Sequence, residues 1–372
     1  MYIDRRYRGR RRSPLRYLLL LALVAGAAYL LYTRTNFFES PLNPLKPTST
    51  PTRTLTSFLA EAEAYYAEGM LEEAAESYEE ITRLEPENDE AFRWWAKLLA
   101  LRGHPAEAVK MAREAVRLSP NDAHNQATLA MALDWDGQYD EAIAVALRAV
   151  DLDPDLAEAH AYLAEVYADK GNWNRAMEEA EAAVALDDRS VDAHRNFGYV
   201  LERQGQYQRA IEEYLRASEL HPKLSYTYIG AGRNYLVLGR YDDAIAQFQK
   251  SISAAPGNAD GYDALGWAYV LQNDVERGIV ELEKAVEVDP AYSTAYGHLG
   301  LAHYVRRNYE AAIPHFERAI ELGNESLEYF YELGLCYAYL GNCNNAIRWL
   351  ERALVIDPQS QQALDGLQLC AE

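Results

Sequence analysis

Two patterns of apolar positions divide the chain near residue 54. The first is a single uncharged run, Tyr17 to Tyr32, reading YLLLLALVAGAAYLLY. Extended to Thr33, it predicts a helix about 25 Å long, the short end of what crosses a bilayer. The second pattern starts at Leu55, where apolar residues recur three and four apart, the spacing of helices that bury one face. Between the two, residues 34–54 carry Pro41, Pro44, Pro47 and Pro51 among threonines. That composition denies both helix and sheet and predicts a solvated spacer able to reach roughly 60 Å.

The pattern after residue 54 is periodic. Prolines stand at Pro86, Pro120, Pro154, Pro222, Pro256, Pro290 and Pro358, and Asp188 and Asn324 fill the two slots between them. Nine units of one length follow, starting at residues 55, 89, 123, 157, 191, 225, 259, 293 and 327, and they fill 55–360 without an insertion. Position 8 of each unit is Ala or Gly, from Ala62 to Gly334, and position 20 is likewise small, from Ala74 to Ala346. Position 15 is Gly in most units, as at Gly137, Gly171 and Gly205. Gly there supplies the left-handed residue that ends a first helix. The small residues let a second, antiparallel helix approach closely, and the proline stops that helix and sets the turn to the next unit. Larger apolar residues at positions 4, 7, 11 and 24, such as Tyr262, Leu265, Tyr269 and Leu282, fill the space between.

Segments such as Tyr262-x2-Leu265-Gly266-x2-Tyr269 and Tyr296-x2-Leu299-Gly300, followed by the small residue and the proline, resemble the tetratricopeptide repeat. The resemblance runs in register through all nine units. Departures are Glu61 for the usual Leu, His303 for the usual Tyr, Gly278 for the small Ala, Asn273 at the turn glycine, and Pro314 early in a second helix. Residues 361–372 continue the phase with Leu364 and Leu367, as the capping helix of such an array.

The resemblance implies an all-α, right-handed α-solenoid of about nine helix–turn–helix repeats with a concave groove. It also implies that first-helix positions 2, 5, 9, 12 and 13 line that groove. Carried over, they give a candidate partner-binding groove of Tyr199, Tyr226, Ile229, Arg233, Leu236, Trp267, Leu271, Leu301, Tyr304, Tyr331, Leu335 and Tyr339. This set is mostly apolar and aromatic, where a solvated helix face would be polar. The earlier units are more mixed at the same positions, with Arg93, Lys97, Met131, Trp135, Glu165, Arg195 and Arg203. The opposite reading is that curvature buries the groove residues against neighbouring helices, or that the array self-associates through them. The clamp by which the chaperone-binding members of the family hold a terminal carboxylate needs Lys and Asn in an arrangement this groove lacks.

Charge sharpens the division. Residues 1–53 hold Arg5, Arg6, Arg8, Arg10, Arg11, Arg12, Arg16, Arg34, Lys46 and Arg53 against Asp4 and Glu39. The remainder carries 26 basic and 55 acidic residues, a formal charge of −29. Such a body repels phosphate backbones, which argues against nucleic acid as a partner. The arginines before the apolar run place residues 1–16 in the cytoplasm as a basic tail, 17–33 as a signal-anchor transmembrane helix, and the repeats across a bacterial inner membrane. A cleaved signal peptide competes, because Ala25-Gly26-Ala27 fits a cleavage site. A cut there would leave the apolar Tyr29–Tyr32 exposed on the mature terminus, so an uncleaved anchor is expected.

No nucleophile–base triad, phosphate-binding loop or zinc motif stands outside the repeat register, so no catalytic residue, cofactor or metal is expected. His160 and His194 occupy position 4 and read as packing residues. Cys336 and Cys343 fall on the two helices of unit nine; a disulfide between them is one alternative, but free buried thiols are the expectation. The functional expectation is a non-catalytic, membrane-tethered scaffold or adaptor that holds a peptide or protein in its groove, for envelope or secretion-complex assembly. The alternative is a cytoplasm-facing regulatory module for a lipid or polysaccharide assembly enzyme.

Overall fold

The computed structural model describes residues 21–30 and 54–371. The chain divides at Thr54 into two units. In the first, residues 21–30 are helical, with Leu21, Leu23, Val24 and Tyr29 exposed. Among the described residues no helix is long and apolar enough to cross a membrane. The expected span 17–33 runs beyond the described stretch at both ends, and the basic tail 1–16 and the linker up to residue 53 lie outside the described residues.

The second unit is a helical solenoid, with no strand among the described residues. Nine antiparallel helix pairs follow one another from Leu55–Ala67 with Leu71–Leu84 to Leu327–Tyr339 with Cys343–Ile356, and a shorter helix, Gln361–Leu369, closes the array. Local chemistry sets the boundaries. Several first helices are capped by the residue before them: Asn88 accepts from the Ala91 amide and Asp122 from the Asn125 amide, each at 2.9 Å. Second helices end two residues before the proline, at Leu84, Leu118 and Leu152, because the residue preceding Pro disfavours helical backbone. Pro314 lies inside Tyr309–Glu321 without ending it.

The turn between the two helices of a pair demands left-handed backbone. Seven glycines at position 15 have φ between 70° and 81°, and Asn273 (71°) and Arg307 (59°) adopt the same region. Asn tolerates it; Arg307 holds it at a cost of about 1 kcal/mol. Packing inside a pair is a matter of size. Where position 8 is Gly, position 24 is large, as in Gly232 against the Phe248 ring and Gly300 against Phe316. Where position 8 is Ala in units two to four, position 24 is Ala too: Ala112, Ala146 and Ala180 are all fully buried. Close-packed interiors reward this exchange of volume across an interface.

The stack curves tightly over its first half. The turn after the first helix of unit one meets the loop that ends unit five: Lys223 Nζ lies 3.3 Å from Glu68, and the Tyr66 and His221 rings are 5.2 Å apart. Units one to five therefore close on themselves.

Disulfide pairing differs from the expectation. The bond joins Cys343 to Cys370, and Cys336 is the free, buried thiol. The cap helix packs on both helices of unit nine and so brings Cys370 to the start of Cys343–Ile356. Cys336 instead points into the core, among the large side chains around Leu333 and Trp349.

Candidate functional site

The concave side has two halves of different chemistry. In the first, charged residues from successive first helices meet in the closed interior. Lys97 Nζ lies 2.6 Å from Asp192 and 3.2 Å from Glu158. The Tyr162 hydroxyl donates to Glu158 at 3.2 Å, and His124 Nδ1 lies 3.1 Å from the same carboxylate. Burial alone would depress the Lys97 ammonium; Asp192, Tyr162 and Glu158 reverse that and hold it above its ordinary value. Burial would raise Glu158, but Lys97, the His124 hydrogen bond and Arg93 hold it well below the carboxylate range.

One turn further along, Glu165 takes a hydrogen bond from Trp135 Nε1 at 3.0 Å and pairs with Arg195. The Tyr199 hydroxyl donates to Asp169. Beside them Asp134 is 2% exposed, and neither of its oxygens has a hydrogen-bond partner. Burial first, then Glu165 and Asp169, push its carboxyl up to about 9, so it is neutral at pH 7. The cations also sit over rings: Lys97 Nζ is 5.5 Å from the Trp94 centroid and 5.9 Å from Tyr162, and Arg195 Cζ is 5.0 Å from Trp135. The first half of the groove is thus filled by its own charges.

The second half is apolar and open. Of the twelve groove candidates, Tyr199 and Tyr226 belong to the closed half, Tyr226 lying beside Tyr66, Asp192 and Arg195. Ile229, Leu301 and Leu335 are buried and form the wall. Arg233, Leu271 and Tyr339 are exposed, and Leu236, Trp267, Tyr304 and Tyr331 are half-buried. Arg233 pairs with Asp260 at 2.8 Å. Trp267 stacks on His298 with centroids 4.6 Å apart, and His298 Nδ1 lies 2.7 Å from Asp263. Tyr309 and Tyr339 stack at 4.8 Å, and Tyr304 lies within 6.4 Å of both. At position 13 an exposed apolar ladder runs along four consecutive units: Val237 (60% exposed), Leu271, Val305 and Tyr339 (49%).

The histidines at position 4 are packing residues held by hydrogen bonds. His160 Nδ1 is 2.6 Å from Glu179 with Nε2 3.0 Å from the Pro154 carbonyl, and His194 repeats the arrangement with Glu213 and Asp188. Among the described residues no group of three or more His, Cys, Asp or Glu side chains is placed to hold a metal ion. The charged network had a signal in the sequence: residues of opposite sign at positions 2, 5 and 9 of units two to five.

The family described as "Tetratricopeptide repeat" matches residues 59–123, 229–295, 264–326 and 298–361, and two further matches to such repeats cover 189–257 and 136–171. The chain belongs to the tetratricopeptide repeat family. Such repeats in a solenoid make it a scaffold for protein–protein interaction. No curated protein matches it significantly. Among solved structures, the APC/C hetero-tetramer Cut9–Hcn1 is similar with a TM-score of 0.67 at 17% identity, over 86% of this chain and 63% of that one. This chain therefore spans less than two thirds of that relative. The human IFIT1 dimer with PPP-AAAA gives a TM-score of 0.55 at 22% identity, over 83% and 74% of the two chains. At these identities the likeness is one of fold.

Proposed function

We propose that the chain is a non-catalytic, membrane-tethered scaffold that captures a peptide or protein segment in the open groove of units six to nine. The observation that carries this reading is the exposed apolar ladder of Val237, Leu271, Val305 and Tyr339. At the same position units one to five hold the small Ala67, the half-buried Leu101 and Trp135, and the charged or polar-paired Asp169 and Arg203, so large exposed apolar residues at position 13 occur only in units six to nine. A contiguous apolar strip on a folded protein marks a surface that another molecule covers. The half-buried Trp267 and Tyr304 beside it are of the types that dominate binding energies.

Tethering through residues 17–33, with the repeats outside the cytoplasm, is the accompanying proposal. It is supported by the arginine-rich flank and by the Cys343–Cys370 disulfide, which suits an oxidising compartment. Envelope or secretion-complex assembly is the context we infer for such a scaffold.

The test is the double variant Trp267→Ser and Tyr304→Ser. At stability matched to the parent by urea titration, it should lose the partner that the parent retains. Partner retention in that variant would refute the groove. Orientation is read from protease cleavage of a C-terminal tag. Cleavage in spheroplasts agrees with the proposal. Cleavage only in inverted vesicles would place the repeats in the cytoplasm and favour the regulatory module instead.

A further inference from the structure

The first half of the groove combines three kinds of group, of which units eight and nine hold two. In the first half an aromatic ring, a carboxylate and a cation come together twice. Lys97 sits over Trp94 and Tyr162 and bonds to Glu158 and Asp192. Arg195 sits over Trp135 and pairs with Glu165.

Units eight and nine hold two of the three kinds of group, though not together at the positions of either set in the first half. Glu328 stands at position 2, as Glu158 and Asp192 of the first set do, whereas Tyr339 stands at position 13, as Trp135 of the second does. Tyr304 and Tyr331 add rings, and Glu332 adds a second carboxylate beside Tyr304. The cation is absent. Position 9, where Lys97 stands, holds Leu301 and Leu335. Among the described residues no Lys or Arg lies over Tyr304, Tyr331 or Tyr339, and neither Glu328 nor Glu332 forms an ion pair. Arg233, the groove cation of unit six, is already committed to Asp260.

One oxygen of Glu332 is buried without a hydrogen-bond partner. Burial, set against the Tyr304 hydrogen bond and reinforced by Glu328, lifts that carboxyl to about 7. A desolvated carboxylate lacking a counter-charge is relieved by an incoming cation. Further along the same helix as Glu332 lies an open pocket of about 400 Å³, lined by Leu335, Tyr339, Gln362, Asp365, Gln368 and Leu369. It is large enough for one or two apolar side chains and carries a further carboxylate.

We propose that the groove of units eight and nine takes a polypeptide segment bearing a Lys or Arg flanked by apolar residues, with the cation seated beside Glu328 and Glu332 and the rings of Tyr304 and Tyr331. The apolar flanks lie on the ladder and in the pocket by the cap helix. The proposal rests on the reading of the open groove as the binding surface and adds the partner's chemistry to it. Charge complementarity carries the choice of occupant: the site contributes acids and π-faces and no cation of its own.

The experiment uses the full chain in lipid nanodiscs and three pools of labelled ten-residue peptides. Each pool is randomised over Leu, Val, Ile, Tyr, Ala and Ser except for a central pair, which is Lys-Arg, Gln-Asn or Glu-Asp. Fluorescence anisotropy should show the Lys-Arg pool binding about ten-fold more tightly than the Gln-Asn pool, and the Glu-Asp pool weakest. Glu328→Gln with Glu332→Gln should remove that preference, bringing the Lys-Arg pool to the affinity of the Gln-Asn pool. Glu310→Gln with Glu351→Gln makes the same change in charge on second helices and should preserve it. Equal binding by all three pools, or equal loss in both double variants, overturns the cation site and leaves the groove standing. Binding by none of the pools overturns the groove reading itself.

Discussion

A Cβ on Gly69 would fall inside the carbonyl oxygen of Lys223 and 3.0 Å from its carbonyl carbon. This contact closes the first five units on themselves, and it requires a glycine twice over, because Gly69 also has φ of 75°. Gly103 provides the control, with φ of 81° and nothing within 4 Å of an added Cβ. Gly103→Ala should cost about 1 kcal/mol, the penalty for left-handed backbone alone. Gly69→Ala should cost more and should release the first unit. Hydrogen exchange within residues 55–84 should then accelerate, while Gly103→Ala leaves that segment protected.

Lys97 joins three first helices through Glu158 and Asp192, so its loss strands two half-buried carboxylates. Lys97→Met should destabilise the chain by about 3–5 kcal/mol at neutral pH. The sign of the pH dependence follows from Glu158, whose pKa is depressed in the folded state. Its contribution is complete above the unfolded carboxylate pKa and is lost as pH falls below about 4. The gap between parent and variant in urea titrations should therefore narrow from pH 6 towards pH 3.

Asp134 has the opposite dependence. Its folded pKa of about 9 stands above the ordinary carboxylate value, so the folded state binds the proton that the unfolded state has released. Stability is lost as pH rises between those two values. Asp134→Asn removes the titration. The Tm of the variant relative to the parent should climb from pH 5 to pH 9, by the equivalent of on the order of 1 kcal/mol or more. A constant difference across that range would contradict the neutral carboxyl.

The cap helix is tied to unit nine by the Cys343–Cys370 bond, which closes a loop with a sequence separation of 27. Such a loop contributes about 3–4 kcal/mol in the chain-entropy account. Cys336 is buried, and burial with Glu332 nearby pushes its thiol up to about 12. Alkylation of protein recovered from membranes should label no cysteine when native, one after denaturation, and three after denaturation with reductant. Three without reductant would show the bond absent in the cell and would speak against an exported domain.

The sequence made the helix register legible because each unit meets the same local demands: a left-handed turn, two small contact positions, and a proline stop. Even Asn273 and Arg307, which break the glycine pattern, obey the backbone it stands for. What stayed hidden depends on the rotation between units, which no local pattern encodes. Tyr226 shares its repeat position with residues of the open groove, yet the curvature carries it into the closed interior beside Tyr66 and Arg195. Ile229, Leu301 and Leu335 share groove positions with exposed residues but lie under neighbouring helices. The Lys97 pairs cross to residues two and three units further on, so nothing at helical spacing announced them. The disulfide is not legible in the sequence because Cys370 lies on the cap, whose packing on both helices of unit nine is a tertiary fact.

The central claim is that partners bind the open half of the groove and not the closed half. Photo-crosslinking in the native membrane tests it most directly, with benzoylphenylalanine placed singly at Leu271, Tyr339, Met131 and Trp135. Adducts of the same partner should form from Leu271 and Tyr339, and none from Met131 and Trp135. Adducts from Met131 or Trp135, with none from Leu271 and Tyr339, would contradict it.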